Sequence, residues 1–314
     1  MKWEPMSKTK YFNAIAETLK NVNATETIWL DELLDNYRFP KVAFNTRKKY
    51  LREYIEENPN HLEKISGFYP SAVTIVNLVE LKLAEKINEV NLNPANKVAR
   101  DIVNSIAKPI LENYLVTSLG KNIENGNVSI TIPKLMDFLQ LEFTEFLSSS
   151  GNGLQSIAGA LNEHLLQKAM LNAGMDETQF QKTGKDSNAD FKIYSKIKQR
   201  NQLGVEVKSY HARERLLRGL QDIVGHKVGF GFFIDAGEFN SHRTQTLLQS
   251  ETAAIYMPQS TLDDVEFEAQ AMRTTQTIAF NSKFYRPIER FVSDMKYFCN
   301  NDELPKFGWG FLNF

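Results

Sequence analysis

The chain has 314 residues, 42% hydrophobic and 24% charged, with a formal net charge of −1; such a chain folds around a core, and its size fits one large domain or two small ones. Near-neutral charge excludes a protein that coats nucleic acid by bulk attraction, without excluding a basic cleft balanced by acidic surface elsewhere. No long apolar run appears, the opening MKWEPMSKTK lacks an apolar signal stretch, and Cys299 is the only cysteine, so neither a membrane span, secretion, an internal disulfide nor a thiolate-rich zinc site is expected, and a cytoplasmic setting is.

The first stretch reads as helical. Apolar spacing predicts helices over Tyr11–Val22, in the region of Ile28–Tyr37, and over Asn45–Glu57, the last basic at its start and acidic at its end. Ala72–Val90 and Ala95–Leu119 repeat apolar residues at three and four, with Val98, Ile102, Ile106 and Ile110 as one stripe, and Pro109 is expected to kink or divide the second helix. The alternating NGNVSITIP, Asn125–Pro133, reads as a small strand or hairpin arm. Helices followed by such an arm suit either simple helical packing or a winged-helix-like recognition module.

SSSGNG, Ser148–Gly153, favours a loop. It suggests a mainly helical region over 1–147, serving DNA recognition or dimerisation, and a second domain over 148–314. Leu154–Met170 then reads as a helix with Leu154, Ile157, Leu161 and Leu165 as its stripe and Glu163 off centre. Two strands, Asp190–Ser195 and Leu203–Ser209, are separated by a charged connector; a helix over Ala212–Val224 and an apolar strand over Val228–Gly237 follow. That order predicts an α/β core with a central mixed sheet flanked by helices.

LGVEVKSY, Leu203–Tyr210, carries Glu206 and Lys208 in an otherwise apolar strand. Alternation puts those two on one side and Val205 and Val207 on the other. A turn near 198–201 returns the preceding strand antiparallel and brings Asp190 to the level of Glu206 and Lys208, provided the register does not slip. Two carboxylates repel unless a cation lies between them, and oxygen ligands of this kind suit Mg²⁺ with waters and phosphate oxygens completing its shell. The alternative is an exposed edge strand protected by charge. Asp190 has a substitute in Asp186, and it also suits a turn.

Asp190, fifteen intervening residues, then Glu206-Val207-Lys208 resembles the PD-(D/E)xK nuclease superfamily, most of all the layout of type II restriction endonucleases. The resemblance covers roughly residues 154–237. It implies a restriction-endonuclease-like core, Mg²⁺ held by Asp190, Glu206 and the main-chain carbonyl of Val207, and Lys208 near the attacking water. Glu163, on the helix before the first motif strand, matches a further glutamate of many members, or is a solvated helical charge. Ala189 stands where the family's half-motif has proline. The implied function is sequence-specific hydrolysis of double-stranded DNA by a homodimer, within a restriction-modification system; the alternatives are a structure-selective or repair nuclease with the same site, and a non-catalytic DNA-binding or scaffold protein in which Glu206 and Lys208 form only a strand-surface pair.

Between Lys182 and Lys227 eleven Lys/Arg face five Asp/Glu, a formal excess of six in a nearly neutral chain; this is the charge a phosphate backbone attracts. Lys185, Lys192, Arg213, Arg215 and Arg218 are the candidate nucleic-acid contacts, or part of a solvated face. His61, His164, His211, His226 and His242 lack metal-ligand spacing, and His164 is expected on its helix surface. GFGFF, Gly229–Phe233, reads as buried strand, and Phe239–Glu251 as the start of a specificity loop offering Asn240, Arg243 and Gln245.

Overall fold

The structure is a computed structural model that describes residues 7–23, 27–36, 43–66, 68, 70–120, 123–124, 127–184, 187–198, 201–272 and 284–305. Two compact units divide the chain, one of residues 1–82 and 98–157, the other of 83–97 and 158–314.

The first unit is mainly helical. Helix α1 (Lys8–Lys20) starts where the Ser7 side chain accepts from the Lys10 N–H, and it buries Tyr11, Ile15 and Leu19 at a spacing of four. Helix α3 (Phe44–Glu57) meets it with Tyr50 beside Tyr11 and Tyr54 edge-on to Phe12, while Lys8 reaches Glu53 at 2.8 Å across the surface. The region of Ile28–Tyr37 is not all helix: β1 (Ile28–Trp29) pairs parallel with β2 (Ile65–Ser66) before α2 (Leu30–Asn36) begins. NGNVSITIP contributes to a hairpin of β3 (Ile123–Glu124) and β4 (Asn127–Val128), followed by α6 (Ile132–Asp137).

Two expected breaks are absent and one helix ends early. Helix α5 (Leu92–Leu119) runs through Pro109 undivided, and α7 (Thr144–Asn172) runs through SSSGNG. Local preference lost in both places. A Gly costs only about 1 kcal/mol against Ala inside a helix, and a helix nucleated on both flanks propagates across such a stretch. Helix α4 (Ala72–Leu83) stops at Ala84, whose φ is +55°. Asn88 and Asn91 then turn the chain: Asn88 Oδ1 accepts from the Val90 and Asn91 N–H groups, and Asn91 Oδ1 from the Asn88 N–H.

The second unit holds a six-stranded sheet in the order β10-β9-β8-β7-β6-β5. Strands β5 (Phe180–Lys182), β6 (Phe191–Tyr194) and β7 (Gln202–Lys208) form an antiparallel meander. From β7 the sheet turns parallel through β8 (Lys227–Gly231), β9 (Thr252–Met257) and β10 (Tyr285–Pro287), with α8 (Arg213–Asp222), α9 (Ser241–Gln249) and α10 (Gln259–Met272) in the connections. Helix α11 (Phe291–Asn301) closes the described chain. The fold is therefore mixed α/β with a central mixed sheet flanked by helices, preceded by a helical region.

Burial has a period of two in β6, whereas β7 is buried on both faces from Leu203 to Val207. Phe191 and Ile193 on β6 face Val205 and Leu203 on β7, all fully or nearly fully buried. In β8 every residue is buried, including both glycines of GFGFF, as strands covered on both faces require. A second buried cluster joins Leu216 and Leu220 of α8 to Phe233, Phe239, Ile255 and Tyr285. Phe239–Glu251 is not a loop: Asn240 accepts from the Arg243 N–H and caps α9, and Arg243 donates to the Glu238 carbonyl at 3.1 Å. An asparagine that caps a helix is engaged with backbone and is not presented to bases.

Candidate active site

β7 is interior, hydrogen-bonded to β6 on one side and β8 on the other. Charge protection of an exposed edge therefore does not explain Glu206 and Lys208, nor do they line an open sheet edge. Glu206 is 6% exposed, and Lys208, at the strand's end, is half-buried.

Asp190 lies where β6 departs from β7. Its N–H donates to the Val205 carbonyl at 2.9 Å, and its Oδ2 accepts from the Val207 N–H at 2.7 Å. The carboxylate thus takes a ladder position that the backbone of β6 no longer fills, which fixes it beside Glu206. Lys208 Nζ pairs with Glu206 Oε1. Each carboxylate has one oxygen engaged in this way, and Asp190 Oδ1 and Glu206 Oε2 remain for another ligand. The register that places Asp190, Glu206 and Lys208 together is the one the alternation and the turn at Lys198–Asn201 predict.

Burial leaves both acids reluctant to ionise, and the Asp190 charge adds to the effect at Glu206. Burial first, then the Asp190 charge, pushes Glu206 from its ordinary 4.5 to about 7, with Lys208 pulling the other way. Asp190 is also raised by burial, opposed by the Val207 N–H and by Lys208.

Glu163 has a different partner. Its carboxylate pairs with Lys182 Nζ at 3.0 Å, and the same ammonium is 3.4 Å from His164 Nε2. His164 is half-buried rather than on the surface, and burial with the Lys182 charge lowers its pKa. Glu163 raises Asp190 only as a lesser contribution, after Lys208. Among the described residues no group of three or more His, Cys, Asp or Glu is gathered to hold a metal through side chains alone. Asp190 and Glu206 with the Val207 carbonyl make a smaller donor set. One or two carboxylates with waters and substrate phosphate is the set Mg²⁺ takes, and the repulsion between these two acids is what a cation relieves, so the residues fit the ion.

The basic residues fall into two groups. Lys192 is half-buried and lines a polar cavity of about 310 Å³ with Ser187, Asn188, Gln202 and Val224. Arg215 and Arg218 are exposed on α8, with Arg218 3.8 Å from Glu214. Lys227 is buried and donates to the Ile223 carbonyl at 2.7 Å, and Lys198 pairs with Asp302 at 2.8 Å; both are used by the fold. Lys185, Asp186 and Arg200 lie outside the described residues, as does the side chain of Arg213.

Two residues carry weight that the sequence pattern did not assign. Glu238 holds the start of α8: its Oε2 accepts from the Ala212 N–H at 2.5 Å and its Oε1 lies 3.2 Å from His211 Nδ1. Lys182 was visible only as one basic residue among eleven, yet it holds Glu163. The signal for Glu238, a glutamate just after an apolar strand, is too common to single out. No family model, no curated protein and no solved structure matches the chain.

Proposed function

We propose that the chain is a Mg²⁺-dependent, sequence-specific endonuclease for double-stranded DNA with a PD-(D/E)xK site, of the type II restriction kind. The observation that carries this reading is the meeting of Asp190, Glu206 and Lys208 at the end of an interior strand, where burial raises the cost of ionising both acids and the Asp190 charge raises it further at Glu206. In support, a helix, α7, precedes the meander, Asp190 immediately precedes the second meander strand and Glu206-Val207-Lys208 end the third, an order similar to the layout the resemblance implies.

Asp190 and Glu206, with the Val207 carbonyl, hold the ion. When bound, Mg²⁺ supplies charge stabilisation on the phosphoryl oxygens and a more acidic water. Lys208 orients the attacking water and offsets phosphate charge, and its pairing with Glu206 keeps the ammonium at the strand end. The Val207 N–H bond to Asp190 fixes one carboxylate before substrate arrives, which lowers the ordering cost at the moment of reaction. Lys192, Arg215 and Arg218, with Lys185 and Arg213, supply phosphate contacts, and a homodimer delivers one such site to each strand of a palindromic target.

The test is digestion of a large mixed-sequence DNA with Mg²⁺ followed by sequencing of the fragment ends. Ends that share one short sequence support the proposal. Cutting that depends on a flap, nick or junction assigns the same site to a repair nuclease, and no cutting with either Mg²⁺ or Mn²⁺ overturns the enzymatic reading.

A further inference from the structure

Helix α8 follows β7 in sequence and packs against it, and Gly219 on the helix and Ile223 just past its end both approach the strand closely. Ile223 covers Gly204, where a Cβ would come within 2.6 Å of the Ile223 Cγ2. One turn earlier stands Gly219, and there the neighbour is the candidate ligand itself. A Cβ on Gly219 would lie 2.9 Å from Glu206 Cγ and closer still to Cδ and Oε1. No pair of carbon and carboxylate oxygen tolerates that approach, so any side chain at 219 and the present carboxylate position are mutually exclusive.

Nothing in the local backbone asks for glycine. Gly219 sits inside the helix Arg213–Asp222 and is not among the residues with positive φ. A glycine there costs helix stability relative to alanine. The contact with Glu206 is what that cost permits.

We propose that Gly219 is a positioning residue: by having no side chain it lets the Glu206 carboxylate lie between β7 and α8, with Oε1 toward Lys208 and the other oxygen left for a divalent ion. This rests on the nuclease reading for the ion, but the packing claim stands apart from it. Gly219 touches neither ion nor phosphate. It acts through Glu206 alone.

Two measurements on the full chain decide it. Calorimetric titration with Mn²⁺ is expected to show a 10- to 100-fold loss of affinity in Gly219→Ala, the range for residues that orient a ligand. A thermal-melting cycle of wild type, Gly219→Ala, Glu206→Ala and the double variant reads the packing without any metal. Gly219→Ala is expected to lower the melting temperature of the wild type and to raise that of Glu206→Ala, because alanine then meets no carboxylate and the helix gains. Should Gly219→Ala not fold, the comparison of Glu206→Ala with the double variant still decides: a further fall there overturns the inference. Wild-type Mn²⁺ affinity in a folded Gly219→Ala overturns it as well. A wild type that binds no Mn²⁺ refutes the nuclease reading, while the melting cycle continues to judge the role of Gly219.

Discussion

Replacing Glu206 with Gln should stabilise the metal-free protein, and by an amount that grows with pH. A carboxyl moved from 4.5 to about 7 by burial and by Asp190 has its charged form disfavoured by about 3 kcal/mol, at roughly 1.4 kcal/mol per factor of ten. The folded-state value lies above the unfolded one, so between about pH 4.5 and 7 the folded chain holds the proton more often and unfolding releases it. Stability is therefore complete below the unfolded value and is lost as pH rises through the folded one. Glutamine keeps the shape and an acceptor for Lys208 without titrating. At pH 4, below both values, the variant and the wild type should nearly coincide; at pH 8, in chelator, Glu206→Gln should be the more stable by about 3 kcal/mol. With a urea dependence of about 2 kcal/mol per molar, that moves the midpoint by about 1.5 M. Urea titrations at the two pH values, following the transition of the sheet-bearing unit, measure it. A variant less stable than wild type at pH 8, or a difference that does not change with pH, refutes the claim that the carboxylate is held at a cost.

Mg²⁺ should reverse that order: an excess of about 1,000 times the dissociation constant adds about 4.1 kcal/mol to a folded state that binds it, so the ion should raise the wild-type melting temperature at pH 8 and leave Glu206→Gln unmoved. Lys208→Ala and Asp190→Asn should each abolish cleavage of plasmid DNA while retaining DNA binding in a gel-shift assay; full cleavage by either would remove its assigned role. Removing Arg215 by alanine should weaken DNA binding alike for all sequences and reduce the slope of log affinity against log salt by about 1, whereas a change confined to one sequence would place it on a base edge. Arg286→Met should cost about 3–5 kcal/mol in urea unfolding, because it strands Asp294, which is 1% exposed and held by Arg286 Nη1 at 2.7 Å and by Tyr256 Oη at 2.8 Å.

The legible parts of the sequence were those with a strong period. The alternation in LGVEVKSY and the turn near 198–201 gave the antiparallel pairing of β6 with β7, and with it the placing of Asp190 at the level of Glu206, whereas β5 was not legible. The stretches that misled were local preferences overruled from outside. Ser148–Gly153 and Pro109 read as breaks and are helical, because neighbouring turns carry the helix across them. Asn240 suits either a base edge or a scaffold hydrogen bond and is a cap, because the same donor and acceptor serve both purposes and only the chain path decides. Position in the sheet was not legible at all. Edge and interior strands of this length differ in what lies beside them, which is long-range pairing, so the edge-strand account of Glu206 stayed open until β8 was seen to pair with β7. The partner of Glu163 was hidden for the same reason: Lys182 reaches it from β5, nineteen positions away in sequence.

Position changes the meaning of the charged pair. On an edge, a glutamate and a lysine keep their water and cost the fold almost nothing. On β7 both faces of the strand are covered, Glu206 has lost nearly all its exposure, and its one ion pair, to Lys208, does not bring its pKa back to the ordinary value. An apolar residue in that place would pack without the desolvation cost. The second acid makes matters worse for stability, since Asp190 adds repulsion where a neutral residue would add none, and Gly219 gives up helix preference to leave the carboxylate room. Three departures from what the fold alone would choose thus converge on one strand end, while the surrounding residues, Phe191, Val205, Val207 and Phe230, follow the pattern without exception. Local rules broken together at one place are what a site under functional demand shows, and the proposed divalent cation would offset the repulsion between the two carboxylates beside Lys208.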